Sequence, residues 1–156
     1  MPGPSAAPSH QVSSRTLTVT ILQGPPGGGK STRARALADL TGVVICSADD
    51  HMLEGGKYVF RAWKLPLAHH ACRMMAQAAL AKGLSVVIDN TNIRAWEARP
   101  YVEMALAAGA MIVFERIDGG FTSTHGVPAD KVAQMRASME VLSVATCLTA
   151  NPPEKS

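Results

Sequence analysis

The chain has 156 residues, of which 47% are hydrophobic, 17% are charged and 4% are aromatic. This composition excludes a chain that is disordered throughout, and it predicts a folded domain with a mainly aliphatic core. The formal net charge of +3 is compatible with a polyanionic partner but is too small to indicate one alone. No apolar run in the sequence is long enough to cross a membrane, and the three cysteines show no C-x-x-C spacing, so we expect a cytoplasmic protein with reduced thiols.

The two ends of the chain differ in composition from the rest. Residues 1–14 are rich in Pro, Ser and Ala, which predicts a disordered tail. Residues 149–156 are mostly polar and include two prolines, which predicts a second, shorter tail. The domain itself is predicted to span residues 15–148.

Residues 24–31 have the sequence GPPGGGKS, which fits the phosphate-loop pattern G-x-x-x-x-G-K-[ST] at every position. A β-branched apolar segment precedes this loop and a segment with helical apolar spacing follows it, which predicts strand, loop and helix in that order. We expect the loop to bind ATP, with the lysine on the β- and γ-phosphates and the serine hydroxyl on Mg²⁺. The predicted nucleotide-binding residues are Gly24, Gly27, Gly28, Gly29, Lys30, Ser31 and Thr32.

A second short apolar strand is predicted over residues 43–46, and Asp49, Asp50 and His51 follow it closely. Ligands of parallel α/β sheets bind beyond the carboxyl ends of the strands, so these side chains are candidate site residues. One of the two carboxylates can accept the proton of an attacking hydroxyl, and its neighbours can contact the substrate. The alternative is a solvated turn or a helix N-cap, where aspartate is common.

Residues 53–60 include two adjacent glycines and predict an exposed loop. Three aromatic residues lie in or beside this loop and alternate with basic ones: Lys57, Tyr58, Phe60, Arg61, Trp63 and Lys64. This mixture suits base stacking together with phosphate binding, which makes Tyr58 and Arg61 candidate substrate contacts. Alternatively, the aromatic side chains anchor the loop to the core.

Residues 66–82 predict a helix that begins at Pro66, and residues 84–88 predict a third buried strand. Asp89 follows this strand directly, and a carboxylate in that position beside a phosphate loop suits Mg²⁺ binding. Asn92 is a candidate substrate contact or, alternatively, a cap for the next helix.

A helix is predicted over residues 94–108, with a kink or break that Pro100 causes near Arg99, and a fourth strand over residues 110–114. The repeated alternation of strand and helix predicts an α/β fold. With the phosphate loop, it predicts the three-layer architecture of a kinase-type P-loop protein, with a central parallel sheet and a lid.

The predicted lid is the polar, glycine-containing segment 118–126. Arg116 precedes it and Arg136 follows it, and either guanidinium can bind the transferred phosphate as an arginine finger does. Arg94 is a third candidate for binding this phosphate or the substrate. Alternatively, these are ordinary surface arginines.

Together, these segments resemble a family of small P-loop kinases related to bacteriophage polynucleotide kinase and to the kinase-like domain of NEDD4-binding proteins. The matching segments are GPPGGGKST at 24–32, SADDH at 47–51, VIDNTN at 87–92 and HGVP at 125–128. The resemblance implies transfer of the γ-phosphate of ATP to a hydroxyl, commonly on nucleic acid, with DNA as the expected partner. It also implies that Asp49, the first of the two aspartates, is the general base.

Two departures from this family concern the acceptor. Its 5′-end kinases carry an arginine three residues after the base, where this chain has Met52, and their lid is basic, whereas residues 121–124 here contain no cation. Phage relatives also include kinases that phosphorylate 5-hydroxymethyluracil within DNA. The resemblance therefore implies either this base or a polynucleotide 5′-hydroxyl as acceptor, with no obligate protein partner. The alternatives are a small-metabolite kinase and a nucleotide-binding switch, although a switch needs no base such as Asp49.

Overall fold

The computed structural model describes residues 16–119 and 126–154. The predicted N-terminal tail and residues 120–125 of the predicted lid lie outside the described residues. The described part of the chain forms six strands: β1 Thr18–Gln23, β2 Val44–Cys46, β3 Leu53–Glu54, β4 Lys57–Tyr58, β5 Val86–Asp89 and β6 Met111–Arg116. It also forms five α-helices: α1 Lys30–Thr41, α2 Leu65–Ala81, α3 Ala95–Ala107, α4 Ala129–Ser138 and α5 Val144–Thr149.

Four parallel strands make the central sheet, in the order β2-β5-β1-β6. In this register Leu22 pairs with Asp89, and Gln23 pairs with Arg116. The carboxyl ends of the strands therefore lie along one edge, and the strand that leads into the phosphate loop lies between β5 and β6.

Helices cover both faces of this sheet because successive strand residues point to opposite sides. Val86 and Ile88 of β5 belong to the larger core cluster, which also contains buried residues of α2, α3 and α5. Val87 points the other way and belongs to a smaller cluster with Leu22 and with Ala34 of α1. The predicted α/β architecture with a central parallel sheet between helical layers is confirmed.

The larger core consists mostly of small side chains. Helix α2 buries four of them at helical spacing, namely Ala68, Cys72, Ala76 and Ala79. Small side chains on one face let a helix approach a sheet closely, so a core with few aromatic residues can still pack densely.

Two local predictions differ from the structure. The predicted loop at residues 53–60 contains the antiparallel β3–β4 hairpin, whose turn residues Gly55 and Gly56 have φ angles of 59° and 81°. Such left-handed angles are those of a two-residue hairpin turn, and glycine adopts them without strain. The sequence predicted a kink or a break near Arg99, and the break does not occur, because α3 continues through Pro100 from Ala95 to Ala107.

The three cysteines, Cys46, Cys72 and Cys147, are buried and free. Burial raises the pKa of the Cys46 thiol to about 12, so this side chain stays protonated and is a poor nucleophile at neutral pH. Among the described residues, no helix has both the length and the apolar character that a membrane span requires.

Candidate active site

Backbone hydrogen bonds join the phosphate loop to the segments that follow the neighbouring strands β5 and β6. The Gly24 N–H donates a hydrogen bond of 3.0 Å to the Thr91 carbonyl, and the Gly119 N–H donates one of 2.8 Å to the Gly28 carbonyl. A Cβ atom on Gly24 would lie 1.9 Å from the Ile117 carbonyl oxygen, so only glycine fits there. The loop is thus held between the segments that follow β5 and β6.

Lys30 is buried at the base of this loop, and its Nζ donates a hydrogen bond of 2.9 Å to the Pro25 carbonyl. Burial lowers the pKa of Lys30, whereas the negative charges of Asp89, Asp49 and Asp118 raise it. A buried ammonium group that donates to a neutral carbonyl gains interaction energy when an anionic oxygen takes the carbonyl's place. The site is therefore suited to a phosphate group.

The Ser31 hydroxyl donates a hydrogen bond of 2.9 Å to the Asp89 carboxylate at the end of β5. Burial raises the pKa of Asp89, and the hydrogen bond from Ser31 and the charge of Lys30 act in the opposite direction. A hydroxyl and a carboxylate are the hard oxygen ligands that Mg²⁺ prefers, so these residues fit the ion. Among the described residues, no cluster of three or more His, Cys, Asp or Glu side chains that could hold a metal occurs.

A cleft of about 330 Å³ opens beside this hydroxyl–carboxylate pair. The residues that line it come from α1, β2, the following 3₁₀-helix, the hairpin and β5: Ser31, Arg35, Ile45, Ser47, Asp49, Asp50, Leu53, Tyr58 and Asp89. The two aspartates after β2 therefore face the same space as Ser31 and Asp89. The cleft combines three carboxylates with one arginine, an arrangement that can accept a proton at one wall and bind an anion at another.

The 3₁₀-helix Ala48–His51 carries Asp49 and Asp50, which line this cleft. Contacts at its two ends hold this helix in place. Its first N–H, on Ala48, donates a hydrogen bond of 2.8 Å to the side chain of Asn90. Met52 at its end is buried in the core. This role of Asn90 was not predicted from the sequence, although a polar residue directly after a buried strand is a signal for it.

Asn92 does not reach the cleft. Only 2% of its surface is exposed, and its side-chain amide donates a hydrogen bond of 2.8 Å to the Leu22 carbonyl. Its backbone carbonyl accepts a hydrogen bond of 3.1 Å from Gln23. Asn92 therefore stabilises the end of β1, just before the phosphate loop, and we do not include it in the proposed substrate site.

Four arginines that the sequence indicated as candidate site residues are not among the residues that line the cleft. Arg61 pairs with Glu54 at 2.7 Å, Arg94 lies 4.0 Å from Glu140, and Arg116 is exposed at the end of β6. The fourth, Arg136 of α4, donates a hydrogen bond of 2.9 Å from Nη2 to Asp118, just after β6. The arginine that does line the cleft is Arg35 of α1, which the sequence analysis missed.

The aromatic residues near the hairpin divide between the two predicted roles. Tyr58 is partly buried against the core and also lines the cleft. Phe60 and Trp63 are 60% and 66% exposed, so they do not anchor this segment to the core. His51 lies near Trp63, in a second pocket, rather than in the cleft of Asp49.

The sequence profile of the AAA domain family matches residues 19–118, which include the phosphate loop, the 3₁₀-helix and Asp89. The chain belongs to the AAA domain family. Human NEDD4-binding protein 2 is 33% identical over 151 residues, which cover 89% of this chain and 8% of that protein. An uncharacterized protein of Pasteurella multocida is 30% identical over 136 residues, which cover 76% of this chain and 74% of that protein. The predicted resemblance to NEDD4-binding proteins is thus confirmed.

Superposition on solved structures shows which known proteins share the fold of this AAA domain. A chain of the Pnkp1/Rnl/Hen1 RNA repair complex superimposes with a TM-score of 0.56 at 20% identity, over 90% of this chain and 45% of that one. A sugar kinase from Janibacter sp. HTCC2649 superimposes with a TM-score of 0.55 at 17% identity, over 82% of this chain and 80% of that one. At these identities the similarity concerns the fold, which is that of P-loop kinases.

Proposed function

We propose that this AAA domain protein is an ATP-dependent phosphotransferase that phosphorylates a hydroxyl group on nucleic acid. The observation that carries the proposal is that Asp49, Ser31 and Asp89 line one cleft of about 330 Å³. A carboxylate able to accept a proton therefore faces the residues suited to Mg²⁺ and to the transferred phosphate. The chain spans 8% of the length of NEDD4-binding protein 2, so the proposal assigns none of that protein's wider activities to this chain.

The phosphate loop and the residues beside it bind the nucleotide in this proposal. Backbone amides of the loop hold the β-phosphate, and Lys30 exchanges the Pro25 carbonyl for β- and γ-phosphate oxygens. Ser31 and Asp89 hold Mg²⁺, which neutralises charge on the phosphates when it is bound. Lys30 and Asp89 are buried, so their charges act on the phosphate and the ion with little screening by bulk water.

Asp49 is the proposed general base. Its carboxylate takes the proton of the acceptor hydroxyl while the acceptor oxygen forms a bond to the γ-phosphorus. The bond from that phosphorus to the β,γ-bridging oxygen breaks, ADP leaves with the electron pair, and the proton passes from Asp49 to solvent. Asn90 and Met52 hold the 3₁₀-helix that presents this carboxylate, so the base is preorganised before the acceptor arrives.

Arg35 gives the cleft a cation for a phosphate of the acceptor strand. It faces a cleft with Asp49, Asp50 and Tyr58, and none of the ion pairs among the described residues includes it. An arginine at position 52 could not do this work, because Met52 is buried in the core. We propose that Arg35 binds the acceptor phosphate while Asp50 and Tyr58 contact the neighbouring sugar or base. The proposed acceptors are a polynucleotide 5′-hydroxyl and 5-hydroxymethyluracil within DNA.

A small-metabolite kinase is the second candidate, and the charge of the cleft favours it. Three carboxylates, Asp49, Asp50 and Asp89, line the cleft beside one arginine. Such a lining disfavours a polyanion and suits the hydroxyls of a neutral polyol. The sugar kinase of the same fold gives this candidate a structural precedent.

Transfer of labelled γ-phosphate from ATP tests both candidates. We would offer a 5′-hydroxyl oligonucleotide, a 5′-blocked duplex that contains 5-hydroxymethyluracil, and a panel of sugars and polyols. Label on either nucleic acid supports the proposal and identifies the acceptor. Label on polyols alone transfers the assignment to the second candidate.

Asp49→Asn tests the base within the same assay. We expect kcat to fall by about 10²–10⁴-fold while the Kd for ATP stays unchanged, because a carboxamide cannot accept the proton. Asp39→Asn, which neutralises an exposed carboxylate on α1, is the matched control and should keep full activity. Undiminished transfer by Asp49→Asn would reject the assigned base.

A further inference from the structure

A second surface, next to the catalytic cleft, exposes several apolar side chains. Four large hydrophobic side chains between residues 60 and 67 are at least 40% exposed: Phe60, Trp63, Leu65 and Leu67. Single exposed apolar residues are ordinary, but a group of them on one segment marks a place where something binds.

Part of this surface forms a pocket of about 260 Å³ between the 3₁₀-helix 48–51 and the start of α2. Its walls are mainly apolar and come from His51, Trp63, Lys64, Leu67, Ala68 and Ala71. We call it the Trp63 pocket. Its volume lies just below the roughly 300–1,000 Å³ of pockets for drug-sized ligands, so it suits one flat ring system rather than a whole nucleotide.

The charges around the Trp63 pocket indicate what kind of ring it binds. Lys64 lines the pocket with its Nζ 5.5 Å from the centre of the Trp63 ring. Lys57 and Arg61 lie on the same segment, and Glu54 is the acidic residue among them, which leaves two positive charges. An apolar peptide would gain little from the net positive charge of this segment, whereas a nucleic acid gains both a stacking partner and contacts for its phosphates.

Ion pairs fix this segment in place. Glu54 accepts hydrogen bonds from Arg61 at 2.7 Å and from Lys64 at 2.6 Å. These contacts, that of Arg61 first, lower the pKa of the Glu54 carboxyl to about 2, so it stays charged at any physiological pH. Arg61 and Lys64 flank Trp63 in the sequence, so these ion pairs restrict the backbone that carries the indole, which reduces the ordering cost of stacking a ring on it.

The Trp63 pocket adjoins the proposed catalytic base. Asp49 and His51 belong to the same 3₁₀-helix, and Asp49 lines the cleft while His51 lines the pocket. A 3₁₀-helix rises about 2 Å per residue, so the two backbone positions are only about 4 Å apart along its axis. A nucleotide with its acceptor hydroxyl at Asp49 can place a neighbouring base in the pocket.

We propose that the Trp63 pocket binds an unpaired nucleobase next to the acceptor hydroxyl, stacked on the indole of Trp63. This inference rests on the proposed transfer to nucleic acid, and it adds that the acceptor is read as a single strand or as a base turned out of its duplex. A base inside an intact pair has both faces stacked and does not enter the pocket.

Fluorescence of Trp63 tests the pocket without any phosphate transfer. The chain has two tryptophans, so Trp96→Phe leaves Trp63 as the sole indole reporter. We would titrate this variant with a short single-stranded 5′-hydroxyl oligonucleotide and with an abasic strand that has the same number of phosphates. We expect saturable quenching by the first strand and at least tenfold weaker quenching by the second.

Three results of this titration would overturn the proposal. Equal quenching by the abasic strand would mean that only phosphates bind near Trp63. A signal unchanged by either strand would mean that no base enters the pocket. Quenching that follows protein concentration without nucleic acid would show that a second copy of the chain covers the pocket, which sedimentation would verify.

Kinetics separate this inference from the proposed function. We expect Trp63→Ala to raise KM for a single-stranded acceptor by about tenfold or more, with kcat and the KM for ATP nearly unchanged, and Trp63→Phe to restore most of the loss. Leu40→Ala, at a side chain that is 79% exposed on α1, is the matched control and should leave all three values unchanged.

If the unmodified protein transfers phosphate only to polyols, the proposed function is rejected. The fluorescence titration still shows whether a nucleobase binds in the Trp63 pocket. If transfer to nucleic acid succeeds and Trp63→Ala changes nothing, only the pocket is rejected.

Discussion

The Ser31 hydroxyl donates a hydrogen bond of 2.9 Å to Oδ2 of Asp89, and this bond joins the first turn of α1 to the end of β5. The two residues are 58 positions apart in the chain and come together because β1 and β5 are parallel neighbours. Their contact links the proposed phosphate and metal sites.

Asp89→Asn should therefore separate metal-dependent activity from stability. The carboxamide oxygen can still accept from Ser31, but it is a weaker Mg²⁺ ligand, so we expect Mg²⁺-dependent transfer to fall by about 10²-fold or more. Because burial raises the pKa of Asp89, ionised Asp89 stabilises the ligand-free fold less than protonated Asp89 does. Its contribution is present at low pH and is lost as pH rises through the folded-state pKa, so the variant should be at least as stable as the wild type at neutral pH.

Thermal unfolding without ligands and transfer assays over a Mg²⁺ series check these expectations. Asp39→Asn is the control for loss of a negative charge elsewhere, since Asp39 is exposed on α1. A lower melting temperature for Asp89→Asn with unchanged transfer would show that the carboxylate is structural rather than a metal ligand.

Arg35→Gln should weaken binding of the acceptor and leave the chemical step intact. We expect KM for a phosphate-bearing acceptor to rise by about tenfold, with kcat and the KM for ATP within about twofold of the wild type, since one charge-assisted hydrogen bond is lost. An acceptor that has the hydroxyl but no phosphate should respond to the variant much less. Lys82→Gln, an exposed cation beyond α2, is the control, and an equal rise in KM for both acceptors would reject the phosphate contact.

The Arg136–Asp118 ion pair gives a test of the arginine finger that the sequence predicts at Arg136. The guanidinium of Arg136 forms two hydrogen bonds with Asp118, with Nε 2.5 Å from one oxygen and Nη2 2.9 Å from the other. A finger must exchange this carboxylate for the transferred phosphate. We expect Arg136→Gln to lower kcat by about 10³-fold, whereas Asp118→Asn, which releases the guanidinium, should retain most of it. Equal losses in both single variants and in the double variant would mean that the ion pair only holds α4 in place.

Local patterns were sufficient to predict the phosphate loop and the sheet. The glycines, lysine and serine of residues 24–31 are contiguous, and each predicted strand is an apolar run, so these features needed no knowledge of distant contacts. The closeness of Ser31 and Asp89 followed from the rule that parallel strands end at the same edge.

Side-chain direction was the part that the sequence could not supply. Arg35 faces the cleft because its neighbour Ala34 is buried against the sheet, and this fixes the rotation of α1 about its axis. Asn92 is polar yet buried, because the end of β1 leaves the Leu22 carbonyl in need of a donor. Trp63 is a large apolar residue yet 66% exposed, whereas the small side chains Ala68 and Cys72 of the following helix are buried in the core. Each of these facts depends on how two distant segments pack.

His69 of α2 provides a prediction for the pH dependence of stability. It is partly buried, and burial, followed by the positive charge of Arg73, lowers its pKa, whereas Asp49 acts to raise it. At pH values between the lowered pKa of folded His69 and its ordinary value of 6.5, the unfolded chain therefore binds a proton at His69 more readily than the folded chain does. In that window the free energy of unfolding should rise with pH, so acidification from about pH 7.5 to about pH 5.5 should destabilise the protein.

His69→Gln should remove this component of the pH dependence, because glutamine has the same hydrogen-bonding capacity at both pH values. Denaturant unfolding at the two pH values would give the change in free energy for the variant and for the wild type. His70→Gln is the matched control, since His70 is the next residue of the same helix and is exposed. A smaller loss on acidification in His69→Gln than in either the wild type or His70→Gln is the expected result. The same loss in all three proteins would place the pH-sensitive group elsewhere and would mean that His69 is equally easy to protonate in the folded and unfolded chains.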